Sequence, residues 1–358
     1  MSFLDWFFPR SNNFDIGIDL GTVNTLVCTA TKGVVLREPS VVAIDHSHAV
    51  PQVIEVGLAA RDMIGRTPDK IRTTRPLRDG VIAEFEWAEV MLKKFIEKVT
   101  GGPRLFGPRP GKVVIGIPSG VTEVERRAVR EAAYQAGADR VYLIEEPMAA
   151  AIGAGMPVDK PTGSMIIDIG GGTTEIAVLS LNGIVVSKSL RIAGDELNEN
   201  IQEHLKKAHN LSIGERTAEE IKIRMGSATK MGDEEEMEVR GLNLLNGLPH
   251  TITVNGSEIR ECLRGTLMEI VAGVKSTLEM TPPELAADIV DRGIVLAGGG
   301  ALLAGMDELI SEEVDVPVHI ANDPLSCVVL GTEKVLNDPT FQKILERQER
   351  QHAERGEH

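Results

Sequence analysis

MIIDIGGGTTEI, residues 165–176, is the stretch that decides the fold of this chain. An apolar strand runs into Asp168, three glycines follow, and two threonines lead into a second apolar strand. Glycine accepts backbone dihedral angles that other residues avoid, so a chain bent through Gly170–Gly172 can direct several N–H groups into one concavity. Such a nest of amides binds phosphate. The stretch therefore predicts a β-hairpin with a phosphate-binding turn.

A second copy of this pattern, IGIDLGTVNTLV, occupies residues 16–27. The aligned pairs, each with the residue of stretch 16–27 named first, are Asp19 and Asp168, Gly21 and Gly170, Asn24 and Thr173, and Thr25 and Thr174. One copy alone is typical of an ordinary β-hairpin. Two copies predict a duplicated α/β protein that holds one phosphate group between the copies.

The composition indicates a soluble protein of two domains. The chain has 358 residues, of which 42% are hydrophobic and 25% charged, and this balance excludes wholesale disorder. The net charge of −15 argues against general nucleic-acid binding, which needs a basic face. Cys28, Cys262 and Cys327 lack metal-ligand spacing and indicate small core residues in a reducing compartment. With neither a transmembrane-length apolar run nor a secretion signal, we expect a cytoplasmic protein.

Strands and helices alternate along the chain, which indicates sheets covered by helices in both domains. A linker at Gly155–Gly163 separates the domains. The predicted bounds are 13–153 plus 322–340 for the first domain, 154–321 for the second, about 36–75 and 191–255 for small inserted subdomains, and 341–358 for a charged tail.

Two apolar segments are candidate membrane contacts. Segment 1–12 predicts a short helix that Pro9 ends, and one face of this helix carries large apolar side chains with Trp6 at its edge: Phe3, Leu4, Phe7 and Phe8. Such a helix is typical of segments that lie in a membrane interface, and packing against its own domain is the alternative. Leu105 and Phe106 lie in a basic loop rich in Gly and Pro. This loop is a second membrane or partner contact, or it folds back on the core.

Asp19 and Asp168 end equivalent strands and are the candidate magnesium ligands. Two carboxylates near a triphosphate hold Mg²⁺, usually through its waters. The predicted phosphate donors are Gly21, Thr22 and Asn24 on one side and Gly170, Gly171, Gly172 and Thr173 on the other. A third cluster, Gly298, Gly299 and Gly300, sits between a strand and a helix and supplies a third wall of the nucleotide site.

Hydrolysis of a nucleotide requires a water in line with the γ-phosphate. Glu146, before Pro147 at a strand end, is the candidate for orienting that water, and Glu145 is the competing choice. The hydroxyl of Thr173 is placed to hold the same water. Spacing does not decide between the glutamates, and a solvated acidic turn is the alternative for both.

Several stretches together resemble the ATPase superfamily of actin, Hsp70 and hexokinase. They are DIGIDLGTVNTLV, IEEPMAAAIGAG, MIIDIGGGTTEIAV, RIAGDELNENI and GIVLAGGGALLAGM. Within the superfamily, residues 14–337 resemble the MreB family of bacterial actins. That resemblance is carried by LREPSVVAID, GRTP, RPLRDGVIAEFE, IPSGVTEVERRAVREAA and NDPLSCVVLGTEKVL.

The resemblance implies duplicated actin-like (ribonuclease H-like) ATPase domains, with two small inserted subdomains, around a cleft for ATP and Mg²⁺. The implied contacts are Asp19–Asn24, including Val23 where alanine is usual, Asp168–Thr173, Gly194 and Asp195 within RIAGDELNENI, Glu219 and Lys222 with the E-x-x-K spacing, and Gly298–Gly300. It also makes Glu146 and Thr173 the pair that orients the attacking water.

Proteins of the MreB family polymerise with ATP into double filaments of antiparallel protofilaments. They bind the inner face of the cytoplasmic membrane and guide the wall synthesis that sets rod shape. The resemblance therefore implies a filament-forming ATPase whose partners are copies of itself, the membrane surface and membrane-bound proteins such as RodZ and MreC. Family members use an amphipathic N-terminal helix, an apolar loop or both, and Leu105 and Phe106 fall where that loop belongs.

Two other functions are compatible with the same superfamily. A monomeric small-molecule kinase needs an acidic base beside a sugar pocket, and we find no separate candidate for it. Kinases of this kind also usually exceed the 3% aromatic content seen here. A chaperone needs a substrate-binding domain, and none is recognisable after residue 337.

Overall fold

The structure is a computed structural model that describes residues 14–101, 110–230, 235–341 and 345. The described residues form two compact units. Unit 1 contains those up to Met156 and those from Ser326 onward, and unit 2 is Pro157–Leu325. The apolar segment 1–12, Leu105 and Phe106, and most of the charged tail lie outside the described residues.

Unit 1 is built from ten strands and five helices in the part of the chain that is described. Its strands are β1 (Phe14–Leu20), β2 (Asn24–Thr29), β3 (Gly33–Pro39), β4 (Val42–Asp45), β5 (Gln52–Val56), β6 (Ile71–Thr74), β7 (Leu77–Arg78), β8 (Val81–Ile82), β9 (Pro110–Ile117) and β10 (Arg140–Glu145). Its helices are α1 (Leu58–Asp62), α2 (Phe85–Thr100), α3 (Glu123–Gln135), α4 (Glu146–Gly153) and α10 (Cys327–Asn337).

Unit 2 has eight strands and five α-helices among its described residues. Its strands are β11 (Ser164–Ile169), β12 (Thr174–Ser180), β13 (Gly183–Leu190), β14 (Leu211–Ser212), β15 (Glu236–Asn243), β16 (Pro249–Asn255), β17 (Ile294–Ala297) and β18 (Val318–Ile320). Its helices are α5 (Gly194–His209), α6 (Glu215–Met225), α7 (Gly256–Glu279), α8 (Pro283–Arg292) and α9 (Met306–Val314).

The main sheets of the two units have the same topology. The strand order is β3-β2-β1-β9-β10 in unit 1 and β13-β12-β11-β17-β18 in unit 2. In both sheets the pairs among the first three strands named are antiparallel. The last two strands run parallel to the third, which is β1 in unit 1 and β11 in unit 2. Even the hairpin register repeats, since Asp19 lies opposite Leu26 and Asp168 opposite Glu175. This repeat confirms the predicted duplicated α/β fold.

Smaller sheets branch from each main sheet. In unit 1 the order β5-β4-β6 forms a three-stranded sheet beside α1. In unit 2 the strands β14-β15-β16 form another, and the apolar side of β15 and β16 packs into the core below α7. These sheets lie within the two regions where the sequence predicts insertions.

Local sequence signals explain how individual helices begin and end. Thr122 caps α3: its hydroxyl accepts a hydrogen bond from the Glu125 N–H, and the Glu125 carboxylate accepts one from the Thr122 N–H at 2.6 Å. This reciprocal pair satisfies two amides that a helix start leaves unpaired. The helix predicted after the third glycine cluster is α9, which begins at Met306 and buries Met306 and Ile310. None of the helices in the described ranges is both long and apolar enough to span a bilayer.

The cysteines of the chain occupy packed positions. Cys28 and Cys327 are buried, and Cys262 packs partly buried against the core of unit 2. Burial raises the pKa of the Cys28 thiol to about 11, and burial together with the charge of Glu258 raises that of Cys262 to about 12. Both thiols therefore stay protonated at neutral pH and are poor nucleophiles and metal ligands.

Helices α4 and α10 approach so closely that glycine is required where they meet. A Cβ atom on Gly331 would overlap the carbonyl oxygen of Ala149, and one on Gly153 would overlap that of Cys327. Because the overlapping atoms belong to the backbone, a rotamer change cannot relieve the clash. The contact thus depends on two glycines far apart in the sequence.

Substituting Gly331→Ala is expected to destabilise unit 1 by roughly 1–3 kcal/mol, the usual cost of overpacking. Denaturant unfolding followed by circular dichroism measures the change. The matched control is Gly265→Ala in α7, where the new Cβ meets open space and alanine favours the helix by up to about 1 kcal/mol. Equal midpoints for Gly331→Ala and the parent chain would show that the close helix contact is wrong.

Candidate functional site

The turn between β1 and β2 is held from several directions. A Cβ on Gly21 would lie 2.6 Å from the carbonyl oxygen of Asn24, so only glycine fits there. Ser40 donates its hydroxyl to the Gly21 carbonyl at 2.6 Å and its N–H to the Val23 carbonyl at 2.9 Å. The hydroxyl of Thr22 accepts an N–H from the β7–β8 turn at 3.1 Å. The backbone of the turn is therefore fixed, while the Asn24 side chain is exposed.

Asp19 lies two residues before this turn, in the centre of the sheet of unit 1. Asp19 pairs with Leu26 of β2 across one edge of β1 and with Gly116 of β9 across the other edge. Burial raises the pKa of the Asp19 carboxyl to about 7, and the nearby Arg37 guanidinium acts in the opposite direction. Arg37 is itself oriented by a hydrogen bond to the Ser326 hydroxyl at 2.8 Å. A cation would favour the ionised form of this carboxyl.

The two competing glutamates occupy different positions at the end of β10. Glu145 is the last residue of the strand, and Glu146 is the first residue of α4. A methyl group on Gly116 would lie 3.6 Å from the Glu146 Cγ. Since Gly116 is the strand neighbour of Asp19, the Glu146 side chain extends over the strand beside that carboxylate. Within unit 1, the structure thus brings Glu146 towards Asp19.

The turn between β11 and β12 is closed by its own backbone. The Gly170 N–H donates to the Thr173 carbonyl at 2.8 Å, and a Cβ on Gly170 would press on the same oxygen. Asp168 and Thr173 are both buried, each with 7% exposure. The next hydroxyl, that of Thr174, donates to the carbonyl of Ile192 at 2.7 Å. This last bond connects the hairpin to the residues that precede α5.

The start of α5 packs directly on the glycine turn. The N–H of Asp195 donates to the Gly171 carbonyl at 2.8 Å, and that of Gly194 donates to the Gly170 carbonyl at 3.2 Å. From α6, Lys222 places its ammonium nitrogen 2.8 Å from the Gly194 carbonyl. Lys222 therefore links α6 to the phosphate turn. Glu219 lies three residues earlier on the same helix.

The third glycine cluster packs against the end of β11. Gly298 has a φ of +80°, and a Cβ there would overlap the Asp168 Oδ1 atom and the Ile169 carbonyl oxygen. Gly300 leaves room for the Ile169 side chain in the same way. The element that follows is a 3₁₀-helix, Gly299–Leu302, rather than the start of an α-helix, since α9 begins only at Met306. Because no α-helix begins at the cluster, its glycines matter for their close backbone packing against Asp168 and Ile169, and a helix dipole plays little part.

The structure connects most of the predicted residues of unit 2 into one cluster. Hydrogen bonds or backbone contacts join Asp168, Gly170, Gly171, Thr173, Gly194, Asp195, Lys222 and Gly298. In unit 1, Gly21–Asn24, Asp19 and Glu146 are grouped by the β1–β9 pair and the turn. Sequence analysis gave no role to Arg37, whose charge acts on Asp19, or to Ser40, which holds the first turn. Both lie in the stretch LREPSVVAID, but the sequence of this stretch does not show these contacts, because each acts across strands.

Comparison with known proteins places the chain in a family. Residues 13–344 match the model of the family described as MreB/Mbl protein. Cell shape-determining protein Mbl of Bacillus subtilis (strain 168) is 50% identical over 324 residues, which cover 90% of this chain and 96% of the relative. Cell shape-determining protein MreB of Escherichia coli (strain K12) is 52% identical over 324 residues, with 90% and 93% covered.

Solved structures agree with the sequence comparison. Crystal structures of MreB5 of Spiroplasma citri, one bound to ADP and one to AMPPNP, superimpose with TM-scores of 0.87 and 0.86. Both are 38% identical to this chain and cover 94% of it and 99% of their own length. The fold is therefore actin-like, and the chain belongs to the MreB/Mbl family.

Proposed function

We propose that this chain is a bacterial actin that binds and hydrolyses ATP and assembles into filaments that determine cell shape. The observation that carries the proposal is the repeated hairpin, in which the same register places an aspartate before a glycine turn in both units. The names of the relatives and the nucleotides bound to MreB5 support the same function.

The groups of both hairpins fit a magnesium nucleotide. Gly21, Gly170 and Gly298 lie where a Cβ would meet backbone or carboxylate atoms of the chain itself, so the tight backbone of these turns depends on glycine. Backbone amides in such turns bind phosphate oxygens. Asp19 and Asp168 supply the carboxylate oxygens that Mg²⁺ prefers, directly or through its waters. We infer that the hairpins of both units bind the phosphates of ATP.

We propose that Glu146 and Thr173 orient the water that attacks the γ-phosphate. The position of Glu146 over the strand beside Asp19 supports this role, whereas Glu145 ends the strand itself. The carboxylate accepts a hydrogen bond from the water and takes its proton as the bond from water oxygen to the γ-phosphorus forms, while the bond from that phosphorus to the β–γ bridging oxygen breaks and ADP leaves. The Thr173 hydroxyl holds the water at its other side. Positioning and electrostatics supply most of the rate in such a reaction.

Assembly and membrane binding complete the proposed function. The filament consists of paired antiparallel protofilaments of this chain, bound to the inner face of the cytoplasmic membrane. The apolar residues of segment 1–12, together with Leu105 and Phe106, are the proposed membrane contacts. A single copy binds weakly, but many copies in one polymer bind at high effective concentration. Membrane-bound proteins such as RodZ and MreC are the proposed partners in organising wall synthesis.

Sedimentation of the purified chain with ATP, Mg²⁺ and lipid vesicles tests this function. We expect filaments that pellet with nucleotide and carry vesicles with them. A chain that stays monomeric and phosphorylates a small molecule would instead identify a kinase of the same superfamily.

Deleting residues 1–9 is expected to weaken vesicle binding by about tenfold or more, because each large apolar side chain fully buried in the interface contributes roughly 1.5–3 kcal/mol and 1.4 kcal/mol is a factor of about ten. Vesicle flotation measures the loss. Changing Leu105 and Phe106 to serine in the deleted chain should remove the remaining binding. If the double change has no further effect, the loop is not a membrane contact.

A further inference from the structure

Unit 2 contains a cluster of metal-ligating side chains apart from the nucleotide residues. It consists of His204 and His209 near the end of α5 and Glu258 in the first turn of α7. The Nε2 atoms of His204 and His209 lie 2.7 and 2.6 Å from the Glu258 Oε1 atom. All three donor atoms lie within 4.8 Å of one another. We call these residues the His–Glu cluster.

The cluster is held by the ends of two packed helices. Asn210, in the left-handed conformation, ends α5 directly after His209. At the start of α7, the Asn255 side chain accepts the Glu258 N–H at 2.9 Å and fixes the first turn. Farther along, Asn200 of α5 donates to Thr266 of α7. The three donor groups therefore converge because of helix packing, and a ligand would not have to assemble them from flexible loops.

The arrangement suits a metal with one open position. The His204 and His209 rings stand nearly edge to face, with an interplanar angle of 71°, and both Nε2 atoms contact the Oε1 atom of Glu258. The side chains of His204, His209 and Glu258 are 30%, 29% and 19% exposed, so solvent reaches the cluster. Cys262, one turn farther along α7, packs against the core and does not join the group.

We propose that the His–Glu cluster binds Zn²⁺ or a chemically similar divalent transition-metal ion. Two imidazoles and one carboxylate form a common ligand set of open zinc sites, with a water as the fourth ligand. Imidazole nitrogen favours such ions over Mg²⁺ and Ca²⁺, which prefer oxygen. Ligand atoms of a tetrahedral zinc lie roughly 3.3 Å apart, so the Glu258 carboxylate has to move away from both imidazoles when the ion enters.

Binding of a metal at this place joins the end of α5 to the start of α7. Because α5 also begins on the phosphate turn at Gly194, the metal and the nucleotide contact opposite ends of one helix. A ligand that binds the folded state raises its stability by mass action. The metal is therefore expected to stabilise unit 2, whether or not nucleotide is present.

The test uses the full chain without nucleotide, titrated with Zn²⁺ by calorimetry and with Co²⁺ by visible absorption. The variants are His204→Gln and Glu258→Gln, which keep hydrogen-bonding side chains of similar size. The matched control is His250→Gln, an exposed histidine on β16 of the same unit. We expect each cluster variant to bind one equivalent of Zn²⁺ less than the parent chain, and to lose the intense Co²⁺ bands typical of low coordination number.

The control should bind Zn²⁺ as the parent chain does, and only the parent chain and control should gain thermal stability with the metal. Far-UV circular dichroism of each apo variant shows whether it is folded, and His209→Gln provides a second test if either variant is not. Equal Zn²⁺ stoichiometry in the parent chain and folded cluster variants would overturn the proposal. So would a Co²⁺ spectrum like that of the hydrated ion, and the cluster would then be only a hydrogen-bonded group.

Discussion

Changing Glu146 to glutamine is expected to slow ATP hydrolysis by about 100-fold or more, with little change in ATP affinity. Glutamine keeps the size of the side chain but cannot accept a proton, and a positioned base commonly contributes 10²–10⁴-fold. The Glu146 Cγ lies near Gly116, the strand neighbour of Asp19, so the substituted group is close to the proposed magnesium ligand. Phosphate release under single-turnover conditions measures the chemical step, and a fluorescent ATP analogue measures affinity.

The control for this experiment is Glu145→Gln. Glu145 ends β10, one residue before the helix, and is expected to change hydrolysis by less than the Glu146 substitution. Thr173→Ala should slow hydrolysis too, because it removes the hydroxyl proposed to hold the same water. If Glu145→Gln is the slow variant, the two glutamates have been assigned in the wrong order. Normal turnover in both Glu146→Gln and Thr173→Ala would remove these residues from the mechanism.

Changing Gly298 to alanine is expected to weaken binding of magnesium ATP by about 10–100-fold. Gly298 has a φ of +80°, and its new Cβ would overlap the Asp168 Oδ1 atom and the Ile169 carbonyl oxygen. Strain of this kind costs on the order of 1–3 kcal/mol at a position that cannot relax. The side chain of Asp168 has to move, and this movement separates the carboxylate from its proposed ion.

The neighbouring substitution Gly299→Ala is the matched control. Its Cβ would lie 3.6 Å from a terminal carbon of Leu325, an ordinary contact, and its φ is not positive. ATP affinity should therefore stay near that of the parent chain. Calorimetry with ATP and Mg²⁺ compares the two. Equal affinities for both variants would mean that the contact between Gly298 and Asp168 has no part in binding.

The sequence alone was sufficient to predict the duplicated α/β fold and the position of the glycine turn in each hairpin. The spacing of aspartate, glycine and threonine is a local property, and it repeats in the observed registers of Asp19 with Leu26 and Asp168 with Glu175. The strand pattern was strong because buried strands such as β11 contain a run of apolar residues, here Met165–Ile167.

The supporting contacts needed the structure, because they join residues that are distant in sequence. Arg37 donates to the hydroxyl of Ser326, the residue at which the chain re-enters unit 1. Ser40, directly after β3, holds the turn at Gly21. Spacing left Glu145 and Glu146 open and the family resemblance favoured Glu146; the structure adds that Glu145 ends a strand and Glu146 begins a helix.

The His–Glu cluster and the close contact of α4 with α10 were also invisible in the sequence. Glu258 lies 54 positions after His204, and only the packing of α5 on α7 brings them together. Gly331 looks like an ordinary helix glycine until Ala149 is placed against it. Tertiary packing decides such contacts, and neither periodicity nor composition contains that information.

The central claim is that the hairpins of both units bind the same ATP. Calorimetric titration of the full chain with ATP and Mg²⁺, repeated for Asp19→Asn and Asp168→Asn, tests it most directly. We predict a single ATP per chain, and a loss of most magnesium-dependent affinity in each variant separately. Binding of two nucleotides per chain, or one substitution that leaves magnesium-dependent binding intact, would contradict the claim.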